Sequence, residues 1–255
     1  MLYKDLLALD VYQFLLVATR MAVVVMMMPG VSAPYVSTRI RLSLSLTVSL
    51  LILPVVAPFI PPIPRTSSGL FLLIFSEVTV GVFIGLVMQM LMAALNLAGT
   101  TISTVSGLSS STMFDPISEQ QSSIIVGIFG NLAVLLIFAT NMHHLIFEAV
   151  VGSYSLMQPG KTLMVGDFSQ VLVTLLDRSF VVGTQLSAPF IVGSTVFQAG
   201  LGLMARLMPQ MNVFFVGLPL QILLALALLM ITIPPVMATF LSMFRDGLIG
   251  FLAPG

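Results

Sequence analysis

The stretch LFLLIFSEVTVGVFIGLVMQMLMAALNLA fills residues 70–98, and Glu77 is its single charged residue. A helix needs about 20 apolar residues to cross about 30 Å of hydrocarbon, so this stretch is long enough to span a membrane. Similar apolar runs lie near residues 11–28, 42–60, 124–150, 179–205 and 213–244. Together the runs predict an all-α, polytopic membrane protein of about six long apolar helices.

The composition of the whole chain indicates the same class of protein. Of 255 residues, 58% are hydrophobic and 7% are charged, and the mean hydropathy is +1.14. Soluble domains carry roughly 25% charged residues because their surface faces water, so lipid or other apolar partners must cover this chain. The formal net charge of zero argues against a nucleic-acid surface. Since cysteine is absent, disulfides, thiol catalysis and cysteine-ligated metals are excluded.

The whole chain, residues 1–255, is interpreted as one membrane domain, because no soluble domain is visible in the sequence. Its first 30 residues are expected to be a retained membrane segment, since Asp5 and Asp10 stand where a cleaved signal would be basic. The longest polar stretch is GTTISTVSGLSSSTMFDPISEQQSS, residues 99–123. Its serine, threonine and glycine content between two apolar runs predicts a loop.

Prolines limit regular helix in two of the apolar runs. The run 213–244 would be about 48 Å long as a helix, which exceeds a bilayer core. Pro234 and Pro235 are expected to kink or split that helix. The end of the run 42–60 is predicted to be irregular because it contains several prolines, which are Pro54, Pro58, Pro61, Pro62 and Pro64.

The fifth run, residues 179–205, is unusually polar for a membrane segment. Such groups are costly against lipid unless protein covers them. The run is therefore either a helix packed inside this chain or a surface for other subunits or a wet channel, and we favour the second interpretation. The residues concerned are Gln185, Ser187, Pro189, Ser194, Thr195 and Gln198.

The histidines form no recognisable catalytic or metal site. His143 and His144 are the only histidines, and His144 shares a helical face with Glu148. No third ligand stands near this pair, whereas a metal needs convergent ligands and a nucleophile needs an adjacent base. The acidic pair Asp115 and Glu119 has no histidine nearby. We therefore predict neither enzyme activity nor a cofactor.

Two charged residues interrupt the apolar runs. Arg20 lies inside the first run and Glu77 inside the third, where a charge is expensive and usually faces protein, water or the interface. Arg20 either extends to the membrane surface or forms an internal ion pair with Glu77, and the sequence leaves both alternatives open. Gly81 and Gly85 form a small-xxx-small pattern, which lets two membrane helices approach closely.

The stretch GLGLMARLMPQMNVFFVGLPLQI, residues 200–222, is the most specific local pattern. It predicts a helix that ends near Leu207, a break and polar turn at residues 209–212, and a new helix from Val213. The stretch resembles the signature of the R subunit of the bacterial flagellar export gate, the FliR family. The matching residues are Arg206, Pro209, Gln210, Met211, Asn212, Phe214, Gly217 and Pro219. Gln221 departs from the pattern, because many members of that family carry Lys there.

The resemblance covers nearly the whole chain and implies a role in type III secretion. It implies an arrangement of P-like and Q-like helical units in a helical assembly with P and Q subunits (FliP and FliQ), and contact with FlhB and FlhA. The assembly would lie in the bacterial inner membrane, in the flagellar basal body, and would pass unfolded flagellar proteins. Further matching features are Arg20, Pro29, Glu77, Gly81, Gly85 and the run Phe114-Asp115-Pro116.

The polar loop contains an apolar pair, Met113 and Phe114. We interpret the pair as packing into a constriction, since hydrophobic constrictions gate by expelling water. Asp115 and Pro116 would fix a turn behind the pair. The resemblance implies the same, because a loop of the R subunit acts as a plug. The candidate plug is the loop around residues 106–123, and Gly107 is one of its residues. The alternative is an external loop that Phe114 anchors.

Two other functions stay open from the sequence. A secondary transporter for a small solute would need an inverted repeat and a midplane group of charges, and neither is clear here. The equivalent subunit of a virulence injectisome shares the family's fold, although the run from Val216 to Pro219 looks more like the flagellar members.

Overall fold

The computed structural model describes residues 2–109, 124–161, 165–208, 210 and 213–250. Within these residues the chain forms helices and turns and no strand. This confirms the predicted all-α fold. The helices are α1 (Leu2–Met27), α2 (Thr38–Val56), α3 (Ser67–Val105), α4 (Ile124–Ala139), α5 (Met142–Leu156), α6 (Val165–Leu207) and α7 (Val213–Ile249).

The six predicted apolar runs correspond to α1, α2, α3, the α4–α5 pair, α6 and α7. Helices α2, α3, α6 and α7 are long and apolar enough to cross a membrane, and the bent α4–α5 pair makes a fifth if it counts as one span. The apolar part of α1, Val11–Met27, is shorter. Helices α3, α6 and α7 contain 39, 43 and 37 residues, which is about 55–65 Å each and well beyond a bilayer core.

Helix α3 continues further than the sequence indicated. Residues 99–105, which we predicted to begin the polar loop, form its last two turns. Their hydroxyl groups are satisfied inside the helix: Thr100 Oγ1 donates to the Asn96 carbonyl at 2.9 Å, and Thr104 Oγ1 donates to the Thr100 carbonyl at 2.8 Å. Threonine that bonds back in this way is compatible with helix, so the polar composition did not mark a helix end.

Two other helix breaks differ from the predictions. The run 124–150 is not one helix, because α4 ends at Ala139 and α5 begins at Met142. Asn141 takes a left-handed conformation there, with φ of 59°, which asparagine tolerates better than most residues. Helix α7 is continuous through Pro234 and Pro235, so of the two expected outcomes, a kink or a split, the split is wrong. Membrane helices tolerate internal proline when neighbouring groups satisfy the freed backbone.

The chain divides into two compact units. The first contains residues 1–91, 137–176 and 244–255, and the second contains residues 92–136 and 177–243. In the first unit, α1 packs against α2, and the fully buried apolar side chains include Leu16, Met21, Met28, Ile84 and Met88. In the second unit, the corresponding side chains include Ala98, Ile102, Phe129 and Phe190.

Candidate functional site

A fully buried ion pair lies in the first unit. Arg20 of α1 and Glu77 of α3 are both 0% exposed, and each of two guanidinium nitrogens donates a hydrogen bond of 2.8 Å to a different Glu77 carboxylate oxygen. Of the two alternatives for Arg20, the structure contains the internal ion pair. A bidentate pair of this kind is stronger and more directional than a single contact, because two parallel N–H groups meet two oxygens.

The remaining donors of Arg20 bind the end of α5. Nη1 donates to Ser153 Oγ at 2.9 Å, and Nη2 donates to the Met157 carbonyl at 3.1 Å. The guanidinium carbon lies 3.8 Å from the centre of the Tyr154 ring, a distance that favours a cation–π interaction. Arg20 therefore joins α1, α3 and the C-terminal end of α5. Ser153 and Tyr154 carried no signal in the sequence, since neither is charged or part of a recognised motif.

Helices α1 and α3 approach each other closely beside the ion pair. A Cβ atom added to Gly81 would lie 2.9 Å from Val23 Cβ and 3.0 Å from the Arg20 carbonyl oxygen. Gln89 Nε2 of α3 also donates to the Met27 carbonyl at 3.0 Å, which satisfies a carbonyl at the end of α1. The small-xxx-small pattern thus serves a contact inside this chain.

Gly81→Ala is expected to destabilise the protein by about 1–3 kcal/mol, since the added methyl group meets a backbone oxygen and a β-branched side chain that cannot move freely. The matched control is Gly130→Ala, because nothing lies within 4 Å of a Cβ at Gly130. Both changes alter helix propensity alike, so the difference isolates the close approach. The measurement is the temperature at which the chain in the membrane fraction loses its resistance to protease, and equal temperatures for the two variants would contradict the packing role.

The polar residues of the fifth run are buried at some positions of the second unit and exposed at others. Ser187 and Ser194 are buried, as expected for a helix packed inside the chain. Gln185, Thr195 and Gln198 are exposed along α6. The run therefore has a buried face and an exposed face, and the interpretation of the exposed face as a surface for other subunits or a wet channel stays a prediction.

A cavity of about 530 Å³ lies in the second unit beside the end of α3. Most of its wall is apolar, and its polar side chains are Thr104, Gln198 and Gln221. Gly107 is also on the wall and has a positive φ of 77°, a conformation that favours glycine. Met113, Phe114, Asp115 and Pro116 of the candidate plug lie outside the described residues.

The signature stretch has the predicted helix bounds. Helix α6 ends at Leu207 and α7 begins at Val213. Arg206 is exposed in the last turn of α6, and Gln210 is exposed in the turn that follows. Gly217 of α7 lies against Leu201 of α6, whose Cδ1 would come within 2.6 Å of an added Cβ. Phe214 and Pro219 belong to α7, whereas Pro209, Met211 and Asn212 lie outside the described residues.

The histidine pair lies at the bend between α4 and α5. The rings of His143 and His144 are 4.1 Å apart between centroids, and His143 also stacks on Phe138 at 5.1 Å. Among the described residues no group of three His, Cys, Asp or Glu side chains could hold a metal ion. The stacking gives the pair a packing role at the bend.

Comparison with known proteins identifies the family. Residues 11–247 match the family described as bacterial export proteins, family 1. The flagellar biosynthetic protein FliR of Caulobacter vibrioides is 35% identical over 239 residues, which cover 94% of this chain and 95% of that protein. FliR of Bacillus subtilis is 29% identical over 187 residues, 72% of each chain. The secretion system apparatus protein SsaT of Salmonella typhimurium is 28% identical over 166 residues, 64% of this chain and 63% of that protein. The chain therefore belongs to the bacterial export proteins, family 1, and within them it is a FliR-type membrane protein of type III secretion.

Proposed function

We propose that this protein is a subunit of the flagellar type III export gate. It forms part of the channel through which unfolded flagellar proteins cross the inner membrane at the flagellar basal body. The whole chain acts as one membrane domain of that gate, in which P-like and Q-like helical units pack with the P and Q subunits FliP and FliQ. FlhB and FlhA are its further neighbours.

The observation that carries this proposal is the exposed polar face of α6. Gln185 lies midway along an apolar helix of 43 residues, and its side chain is exposed. Lipid offers no hydrogen bonds to an amide group, and each unsatisfied polar group in hydrocarbon costs several kcal/mol. Other protein chains or a water-filled path must therefore cover this face. Helices of about 55–65 Å, longer than a bilayer core, fit an assembly that extends beyond the membrane.

The segment around residues 106–123 is proposed to close the pore at rest. Support comes from the apolar pair Met113 and Phe114 within a serine-rich stretch. It also comes from Gly107, near the start of this segment, whose positive φ is incompatible with a continuation of α3. Closure by an apolar group needs no strong bonds, because water leaves a narrow apolar constriction spontaneously.

A second candidate function is the same role in a virulence injectisome. The similarity to SsaT favours it, since that protein is named as part of a secretion system apparatus. Complementation separates the two. A strain that lacks its flagellar R subunit should regain motility with this chain if the flagellar assignment is correct. A chain that restores secretion only in an injectisome mutant would favour the second function.

The affinity-tagged chain, purified in mild detergent, is expected to carry the P and Q subunits with it. Produced alone, it is expected to aggregate, because the polar face of α6 is then left against detergent tails. Size-exclusion chromatography with mass spectrometry of the eluted proteins is the measurement. A monodisperse, heat-stable monomer from the chain alone would contradict the proposal that other subunits cover α6.

A further inference from the structure

One backbone carbonyl at the end of α3 receives hydrogen bonds from two other helices. The carbonyl oxygen of Val105 accepts from Ser194 Oγ of α6 at 2.6 Å and from Gln221 Nε2 of α7 at 2.6 Å. Ser194 Oγ in turn accepts from Gln221 Nε2 at 3.3 Å and from Gln198 Nε2 at 3.4 Å. We call Val105, Ser194 and Gln221 the α3 clasp.

The α3 clasp satisfies a group that the helix itself leaves open. The last four carbonyl groups of a helix have no partner within it, and Val105 is the last residue of α3. The Val105 oxygen has two lone pairs, and both are used by side chains from outside α3. The hydroxyl of Ser194 donates its one hydrogen to Val105, so Gln221 must supply the other donor. The Val105 oxygen, the Ser194 hydroxyl and Gln221 Nε2 are thus paired with one another, and paired groups of this kind rigidify a buried site.

The surroundings of the α3 clasp are closed on one side and open on the other. Ser194 is 7% exposed and Gln221 is 8% exposed. On one side of Gln221 lies a void of only about 10 Å³, which is at the lower limit for one water molecule. On the other side lies the cavity of about 530 Å³, whose wall also includes Gly107. Gln221 thus holds the C-terminal end of α3 at the boundary of a cavity, and this cavity is wide enough for that end of the helix to move into.

We propose that Ser194 and Gln221 are positioning residues that hold the end of α3 in the closed state of the gate, and that opening releases the Val105 carbonyl from them. The inference depends on the proposed function, because it assigns a cause to the resting closure. Val105 stands two residues before Gly107, where the chain turns out of α3. A fixed Val105 therefore fixes the direction in which the chain leaves the helix.

Hydrogen bonds suit a contact that must open, because their net contribution to stability is small. A net neutral hydrogen bond is weak, because water or another polar group replaces it when space permits. The wide cavity beside Gln221 supplies that space. Loss of the two bonds to Val105 is expected to shift the balance between closed and open gate by about tenfold or more.

The test compares Gln221→Glu, Gln221→Lys and Ser194→Ala in the complete complex reconstituted into liposomes. Glutamate has the shape of glutamine but places an acceptor against the Val105 oxygen, so ion leakage is expected to rise about tenfold. Lysine keeps a donor at position 221, and leakage is expected to stay near the wild-type rate. Ser194→Ala removes one of the two donors and should give a smaller rise. Gln170→Glu is the matched control, since Gln170 is exposed on α6 and the chemical change is the same.

Amide hydrogen exchange provides a readout that does not depend on the pore. In Gln221→Glu, the amides of Ser106 and Gly107, which bond to carbonyls within α3, should exchange faster than in the wild type, while those of α1 stay unchanged. If Gln221→Glu assembles poorly, hydrogen exchange is measured in Ser194→Ala instead, which should show the same effect more weakly. Unchanged exchange in both variants would overturn the clasp.

A complex that lacks residues 110–120 separates this inference from the proposed closure. If that deletion leaks but assembled Gln221→Glu does not, the gate proposal stands and the role of the α3 clasp is wrong. If neither complex leaks, the proposed closure fails, and the inference fails with it. Leakage from both, with Gln221→Lys tight, supports the inference.

Discussion

Arg20→Leu is expected to remove most of the protein from the membrane. The substitution leaves the Glu77 carboxylate fully buried and without its cation, together with Ser153 and the Met157 carbonyl. Breaking a buried ion pair by removing one partner costs about 3–5 kcal/mol. Domain stabilities are about 5–15 kcal/mol in total, so a loss of this size lowers the folded population severely. The measurement is the amount of chain in the membrane fraction and its resistance to protease.

The double variant Arg20→Leu with Glu77→Leu tests the physical reason for that loss. Replacing both members of a buried pair with apolar side chains is often neutral or stabilising. The double variant should therefore recover much of the protein that the single variant loses. Arg206→Leu is the matched control, because Arg206 is exposed and the same chemical change leaves no buried charge behind. If the single and double variants lose protein equally, unpaired burial of Glu77 is not the cause.

Sequence reasoning succeeded where local chemistry decides the structure. Helix α6 ends at Leu207 and α7 begins at Val213, as the proline and the amide-rich turn between them predicted. The irregular end of α2 follows the same logic, since Ala57–Phe59 is a single 3₁₀ turn among prolines. Proline removes a donor and restricts its neighbours, but its effect depends on context, since Pro54 lies inside α2 and Pro234 and Pro235 lie inside α7.

The same reasoning failed where hydroxyl groups that bond back to the helix, or a single residue in a left-handed conformation, determine where a helix ends. Composition assigned residues 99–105 to a loop, but their threonines bond back to the helix. It also missed the bend at Asn141, because one residue in a left-handed conformation leaves the hydropathy of the run 124–150 unchanged. Composition shows which side chains need hydrogen-bond partners, whereas a helix end depends on where in the structure those partners lie.

The candidate site shows a corresponding division. Arg20 and Glu77 were identified because charges are rare in apolar runs, yet two alternatives for Arg20 stayed open until the contacts were known. In the sequence, Gln221 is distinguished only by its departure from the family signature. Its contact with Val105, 116 residues away, depends on which helices neighbour each other, and periodicity within one helix carries no such information.

Deletion of residues 110–120 is expected to raise ion leakage through the assembled complex about tenfold or more. The deletion removes Met113 and Phe114, the apolar pair proposed to keep water out of the pore. It should leave the fold intact, because α3 and α4 are already in contact within the second unit. A Cβ added to Gly99 would lie 2.9 Å from Val126 Cα, so the residues that remain between these helices suffice for a short helix–helix connection.

Two further variants distinguish a plug from an external loop that Phe114 anchors. Met113→Ser with Phe114→Ser keeps the length of the segment and removes only its apolar character, so a plug predicts leakage close to that of the deletion. Ser111→Ala with Thr112→Ala is the matched control, since it changes neighbouring residues without removing an apolar group. Conductance is recorded in planar bilayers with the complex at equal protein density, after assembly is verified by chromatography. An intact deletion complex with wild-type conductance would exclude the plug and leave only the external loop, because a segment outside the pore cannot hold back ions.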